Sequence, residues 1–157
     1  MIYFTADLHL DHNNVIKYCD RPFKNVKEMN EALITNWNNI VTDEDTIYIL
    51  GDFCFGGSNR IKELIPQFNG RKIFIRGNHD TRILSEIESL TLKHNSYRYY
   101  LIHDPVNAIR SMITFCGHVH RMFKLLNDKR GCPIINVGVD VWDYKPVSLD
   151  ELNSVIK

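Results

Sequence analysis

The chain has 157 residues, 44% of them hydrophobic and 24% charged, which suits a globular protein with one sizeable core and leaves no length for a separate substrate-binding domain. Lysine and arginine total 19, as do aspartate and glutamate, so the net charge is zero and no general field favours a nucleic-acid backbone or an anionic membrane. No apolar run approaches membrane-spanning length, and Cys19, Cys54, Cys116 and Cys132 form no C-x-x-C pair, which argues against a zinc knuckle or a disulfide framework and for reduced thiols.

In chain order, the opening "MIYFTADLHL" has Asp7 inside its apolar stretch and no basic lead, so it reads as a first strand over 2–6 and not as a signal peptide; a cytoplasmic protein, one domain over 1–157, is expected. Val26, Met29, Leu33, Trp37 and Ile40 follow helical spacing and predict an amphipathic helix. "TIYIL" predicts a strand over 46–50, and Ile61, Leu64 and Ile65 a shorter helix. "KIFIR", "RYYLI" and "MITFC" predict strands over 72–76, 98–102 and 112–116, and "RMFKLL" a weaker hairpin arm. The basic "NDKRG" at 127–131 reads as the tip of that hairpin, followed by a strand over 134–138. Ser148 with Glu151 three residues on predicts a capped terminal helix through Ile156. Short strands alternating with helices make this an α/β fold.

The chemically able residues fall just past the strands. Asp7 and His9 follow the first strand, Asp52 the second, Asn78 and His79 the third, and His103, His118 and His120 the next two. Carboxyl ends of strands are where α/β sheets build ligand sites. Five of the seven histidines obey this rule; His12 and His94 do not. If the backbone is still extended there, Asp7 and His9 share one face, and so do His118 and His120. Glycine precedes Asp52, Asn78 and His118, where a tight turn would bring backbone close to a metal or a phosphate. Imidazole and carboxylate without thiolate suit Mn²⁺, Fe, Zn²⁺, Co²⁺ or Ni²⁺, and the set is large enough for two ions, with an aspartate able to bridge them.

The series D-x-H, G-D, G-N-H-D, H and G-H-x-H, in that order, resembles the calcineurin-like metallophosphoesterases, in particular the small stand-alone phosphoesterases of bacteria and their phages. The likeness runs on through "RPF", "NWN" and the closing "NVGVDVWDYKPVSLDEL" and so covers almost the whole chain. It implies a four-layer α/β/β/α sandwich of two mixed sheets flanked by helices, with a dimetal centre at one edge. By motif position it implies that Asp7, His9, Asp52 and His120 hold one divalent transition-metal ion and Asp52, Asn78, His103 and His118 the other, manganese first among the candidates, with Asp52 as the bridge. It implies that His79 faces the scissile phosphate without being a ligand, that Asp80 orients its ring, and that a metal-bridging hydroxide attacks phosphorus in line.

The departures narrow the substrate. The protein Ser/Thr phosphatases of that superfamily carry an Asp-Arg pair shortly after G-D and read G-N-H-E; here the stretches are "GDFCFGG" and "GNHD". With His9 completing the first ligand set and no dedicated phosphate-gripping arginine, a phosphodiester is expected ahead of a phosphomonoester, a nucleotide-derived one included. Arg21, Arg76, Arg121 and Lys124 are candidate phosphate contacts and His12 a candidate neighbour of the first motif; none is assigned to substrate binding, and the oligomeric state stays open. A nuclease would want an extended basic groove with aromatic platforms, against which the neutral charge speaks. A binding or scaffolding module on this fold would be expected to lack ligands, whereas every position is filled.

Overall fold

A computed structural model describes residues 1–156 except Ile83 and Arg110. β1 (Ile2–Thr5), β2 (Thr46–Leu50) and β3 (Arg71–Ile75) run parallel, with Phe4 opposite Tyr48 and Tyr48 opposite Ile73, and β9 (Val147–Ser148) joins the free side of β1 antiparallel. The second sheet has the order β4 (Ser89–His94), β5 (Tyr97–Ile102), β6 (Ile113–Cys116), β8 (Pro133–Asn136), β7 (Leu125–Asn127). Its three inner strands are parallel, and β4 and β7 close its edges antiparallel. The helices are α1 (Asn13–Tyr18), α2 (Val26–Asn38), α3 (Ser58–Leu64) and α4 (Leu149–Ile156). Two mixed sheets flanked by helices are thus present. Among the described residues no helix is long and apolar enough to cross a membrane.

The alternation of each strand decides which layer it feeds. Tyr3, Ile47 and Ile49 face the helices and pack with Met29, Leu33 and Trp37 of α2 and Leu64 of α3. Phe4, Tyr48 and Leu50 face the second sheet and meet Tyr99, Leu101, Phe115 and Ile135, while Leu149 and Leu152 of α4 join the same core. Phe4 sits edge-on to Phe115 with ring centroids 4.9 Å apart, a favoured aromatic geometry that ties sheet to sheet. α2 starts at Asn25, whose side chain accepts the Glu28 N–H. α4 starts at the predicted capping box: the Ser148 N–H and hydroxyl donate to Glu151 Oε2, and the Glu151 N–H returns to Ser148 Oγ.

The differences from expectation lie at short or half-exposed elements. α1 went unforeseen because six residues with one buried side chain, Val15, carry little periodicity. β4 reads SLTLKH with every second residue exposed, the mark of an edge strand facing the core with Leu90 and Leu92. The hairpin arm is shorter than expected, only Leu125–Asn127, and the tip turns at Asp128, whose carboxylate accepts the N–H groups of Arg130 and Cys132. Cys19, Cys54, Cys116 and Cys132 are all free thiols, the first three buried.

Candidate metal centre

β1, β2, β3, β5 and β6 all end at one edge of the sandwich, and the loops leaving them are stitched together. The Asp7 N–H donates to Gly51 O and the His9 N–H to Asp52 O, so the loop after β1 lies along the loop after β2. The His79 N–H donates to Asp52 Oδ1 at 2.9 Å, and the His118 N–H donates to the Asp7 carboxylate at 2.9 Å. The expectation of extended backbone fails here. Asp7, His9, Asp52, His118 and His120 all have positive φ, between 46° and 71°, so each D-x-H and H-x-H histidine reaches the site from a left-handed turn after its strand has ended. Such residues each cost on the order of 1–3 kcal/mol and persist where the surroundings fix them. The two glycines ahead of Asp52 and Asn78 are required by close approach. A Cβ on Gly77 would collide with Asp52 Oδ1, and one on Gly51, itself at φ 91°, with the His103 ring.

These loops bring all seven expected metal-site residues together. Asp7, His9 and His120 offer donor atoms within 4.8 Å of one another, as do Asp7, Asp52 and His103. Asp52 Oδ2 lies 3.5 Å from His9 Nε2 and 3.4 Å from His103 Nε2. Asn78 Oδ1 lies 2.9 Å from His103 Nε2 and 3.0 Å from His118 Nδ1. Asp52 therefore stands between one cluster that includes His9 and another that includes Asn78, His103 and His118. The chemistry of the donors fits divalent cations, and one atom in particular points to them: His9 Nε2 is buried and has no hydrogen-bond partner among the described residues. His79 is exposed, its ring edge-on to that of His9 at 5.5 Å between centroids.

Burial and charge split the titrations. Burial pushes Asp7 up to about 6, offset in part by His103 and His120. Burial pushes His9 down to about 3 against the pull of Asp52. For Asp52 burial is outweighed by His103 and the His79 N–H, leaving it at about 2. For His103 burial is outweighed by Asp52 and Asp7, raising it to about 9, and for His120 by hydrogen bonds to Asp140 and Cys19, raising it to about 10.

A buried polar frame, which sequence reasoning missed, holds these groups. Asp140 Oδ2 is 2.7 Å from His120 Nδ1, which turns the opposite ring nitrogen away from Asp140. Arg21 closes on the same carboxylate through Nε at 2.8 Å and its terminal nitrogen at 3.0 Å, and its guanidinium also donates to the carbonyls of Asp7 and Leu8. Both side chains are fully buried, so Arg21 is a brace and no phosphate contact. Asn136 donates to the carbonyls of His120 and Phe123, and Trp142 donates to Asn136 O. The signal was the closing "NVGVDVW", which offers Asn136, Asp140 and Trp142 within seven residues.

Asp80 departs from its expected role as well: its carboxylate accepts the N–H groups of Asp52, Phe53 and Gly77 and so clamps the loop after β2 to the loop after β3, not the His79 ring. Arg76 pairs with Glu88 and lines a cavity on the Asn78 and His103 side of the site, Lys124 sits over the Trp142 ring at 3.6 Å, and Arg121, beside the Tyr144 hydroxyl, borders the cavity on the His9 and His120 side. His12 also reaches this cavity, its ring stacked on Phe55.

The model of the calcineurin-like phosphoesterases matches residues 1–151. The chain belongs to this family. It is 41% identical to the uncharacterized protein MJ1445 of Methanocaldococcus jannaschii, over 99% of this chain and 91% of that protein. Among solved structures it is similar to AQ665 of Aquifex aeolicus, a protein of unknown function, with TM-score 0.75, 26% identity, and coverage of 99% of this chain and 98% of that one. A predicted phosphoesterase of Streptococcus pneumoniae has the same fold at TM-score 0.51 and 14% identity, covering 87% of this chain and 71% of that one. For a calcineurin-like phosphoesterase, the Asp and His side chains gathered at the strand ends are groups able to hold metal.

Proposed function

We propose that this calcineurin-like phosphoesterase is a dimetal hydrolase that cleaves a phosphodiester in preference to a phosphomonoester. Asp7, His9, Asp52 and His120 would hold one divalent transition ion and Asp52, Asn78, His103 and His118 the other, with manganese first among the candidates. When bound, such ions supply Lewis acidity toward the phosphate oxygens and lower the pKa of a coordinated water. The observation that carries this reading is the position of Asp52 Oδ2, 3.5 Å from His9 Nε2 and 3.4 Å from His103 Nε2, which suits a carboxylate shared by two sites.

The chain's own contribution beyond holding ions is proton handling and position. His79, exposed beside His9 and tied by its N–H to Asp52, donates a proton to the ester oxygen as the P–O bond breaks. The hydrogen bond from its main-chain N–H to Asp52 anchors the backbone that carries the imidazole beside the residues that would hold the ions. The test is hydrolysis of bis(p-nitrophenyl) phosphate against p-nitrophenyl phosphate by metal-stripped protein restored with Mn²⁺, Ni²⁺, Co²⁺, Zn²⁺ or Mg²⁺ in turn. Metal-restored cleavage that favours the diester and is lost in Asp52→Asn supports the reading. Two bound metals per chain with no turnover of either ester would point to a binding module on this fold.

A further inference from the structure

A cavity of about 670 Å³ is lined by the metal-site histidines His9, His118 and His120 and by residues outside the expected ligand set. Val15 and Tyr18 of α1, spaced i and i+3, and Cys19 at its C-cap are among its lining residues. Val119 and Met122, in the loop after His118, line it too. Tyr18 is 78% exposed and Met122 83%, two large apolar side chains left in water beside the site. The rim is polar: Arg121 donates to the Tyr144 hydroxyl at 3.0 Å and lies 3.6 Å from the Asp20 carboxylate.

From these features, and resting on the phosphoesterase reading above, we infer that this cavity receives the nucleobase of a nucleotide ester whose phosphate sits at the metal centre. A cavity of this size matches the roughly 300–1,000 Å³ of pockets that enclose whole small molecules and is far larger than a phosphate group requires. A planar heterocycle satisfies both parts of the lining. Its faces gain from the Tyr18 ring and the Met122 thioether, since sulfur and aromatic rings attract and bases stack on aromatic side chains. Its edge carries donors and acceptors for Arg121 and Asp20. An aliphatic ester group would cover Tyr18 and Met122 equally well but would strip water from Arg121 and Asp20 without replacing their hydrogen bonds.

The experiment is calorimetric titration of the metal-loaded full-length protein with adenosine 5′-monophosphate, n-butyl phosphate and inorganic phosphate, repeated on Tyr18→Ala and Met122→Ala. The nucleotide is expected to bind on the order of tenfold more tightly than inorganic phosphate, the butyl ester no more than two- to threefold, and the nucleotide-to-phosphate ratio to fall toward one in either variant. Both side chains are exposed, so unchanged thermal melting will certify the folds. Equal affinity for nucleotide and phosphate, a butyl gain equal to the nucleotide's, or an undiminished ratio in both variants overturns the inference. Phosphate that fails to bind at all, together with no ester turnover, would instead remove the phosphoesterase reading beneath it.

Discussion

Replacing Asp140 by asparagine tests whether the frame behind the site is as important as the ligands. The side chain keeps its shape and loses its charge, while Arg21 stays buried with its one carboxylate partner among the described residues gone. Breaking a buried pair from one side costs on the order of 3–5 kcal/mol. The lower end applies here, because the Arg21 guanidinium keeps the carbonyls of Asp7 and Leu8 and the amide oxygen can still accept one bond. A loss of about 3 kcal/mol corresponds to a fall of roughly 6–12 °C in melting temperature for a chain of this length. The second consequence is at His120. Its hydrogen bond to Asp140 is the largest influence raising its pKa to about 10, so the variant's His120 should titrate well below that value.

The sign follows from linkage: a histidine raised in the folded state contributes stability that is full below about pH 6.5 and lost as pH climbs toward 10, so this part of the gap between wild type and variant should close in alkaline buffer. Metal affinity should drop about 10- to 100-fold, the usual penalty for losing a carboxylate behind a ligating imidazole. Urea unfolding of the metal-free protein, histidine titration by NMR and competition with a chelator measure the three effects. Unfolding within about 0.5 kcal/mol of wild type, the range of an ordinary surface change, with His120 still titrating near 10, would refute the reasoning.

Three further outcomes are expected. His79→Ala should retain its metal content and lose about 10²- to 10⁴-fold in turnover of the diester, read by metal analysis beside steady-state kinetics; wild-type turnover would remove the proton-donor role. Asp80→Ala should destabilise the protein by about 3 kcal/mol or more, since three N–H groups lose a charged acceptor, and a stability unchanged in urea would contradict its place as the clamp between two loops. With His103 raised to about 9 and His120 to about 10, both carry a proton at pH 7 that an incoming cation must displace, so metal affinity should rise with pH through this range and binding at pH 7 should release protons. Titrations in buffers of different ionisation enthalpy count those protons, and none released would overturn the assignment of these two histidines as ligands.

The sequence could reveal which residues gather and not how the backbone presents them, for a physical reason. Strands buried on both faces show as unbroken apolar runs, so the point where "TIYIL" or "MITFC" stops and a polar residue follows is visible from composition alone. The conformation after that point is set by partners distant in the chain. Left-handed φ at Asp7 and His9 coincides with N–H bonds to carbonyls some 44 residues away, at Gly51 and Asp52, and pattern carries no trace of that. The same limit hid Arg21, which as a lone arginine near the site looks like a phosphate contact until its carboxylate, 119 positions on, is seen to meet it. The resemblance implies that Asp80 orients the His79 ring, yet its carboxylate accepts N–H groups of Asp52 and Phe53 on the opposite loop and of Gly77 on its own.

These misreadings share one origin and together explain how the site stands. Five residues in left-handed turns, at on the order of 1–3 kcal/mol each, are too many for loops to hold alone. The compensation is visible in two carboxylates, Asp140 buried and Asp80 partly buried. Asp80 accepts three N–H groups across the loops after β2 and β3, and Asp140, through Arg21 and His120, spans the loops after β1 and β6. Four of the five strand ends that form the site are thereby tied in pairs by a carboxylate, and hydrogen bonds to charge are worth about 1.5–3 kcal/mol each. Strain on the donor side and charge on the supporting side are two halves of one arrangement, and removing either carboxylate should relax the turns it holds before it disturbs the aromatic core beneath them.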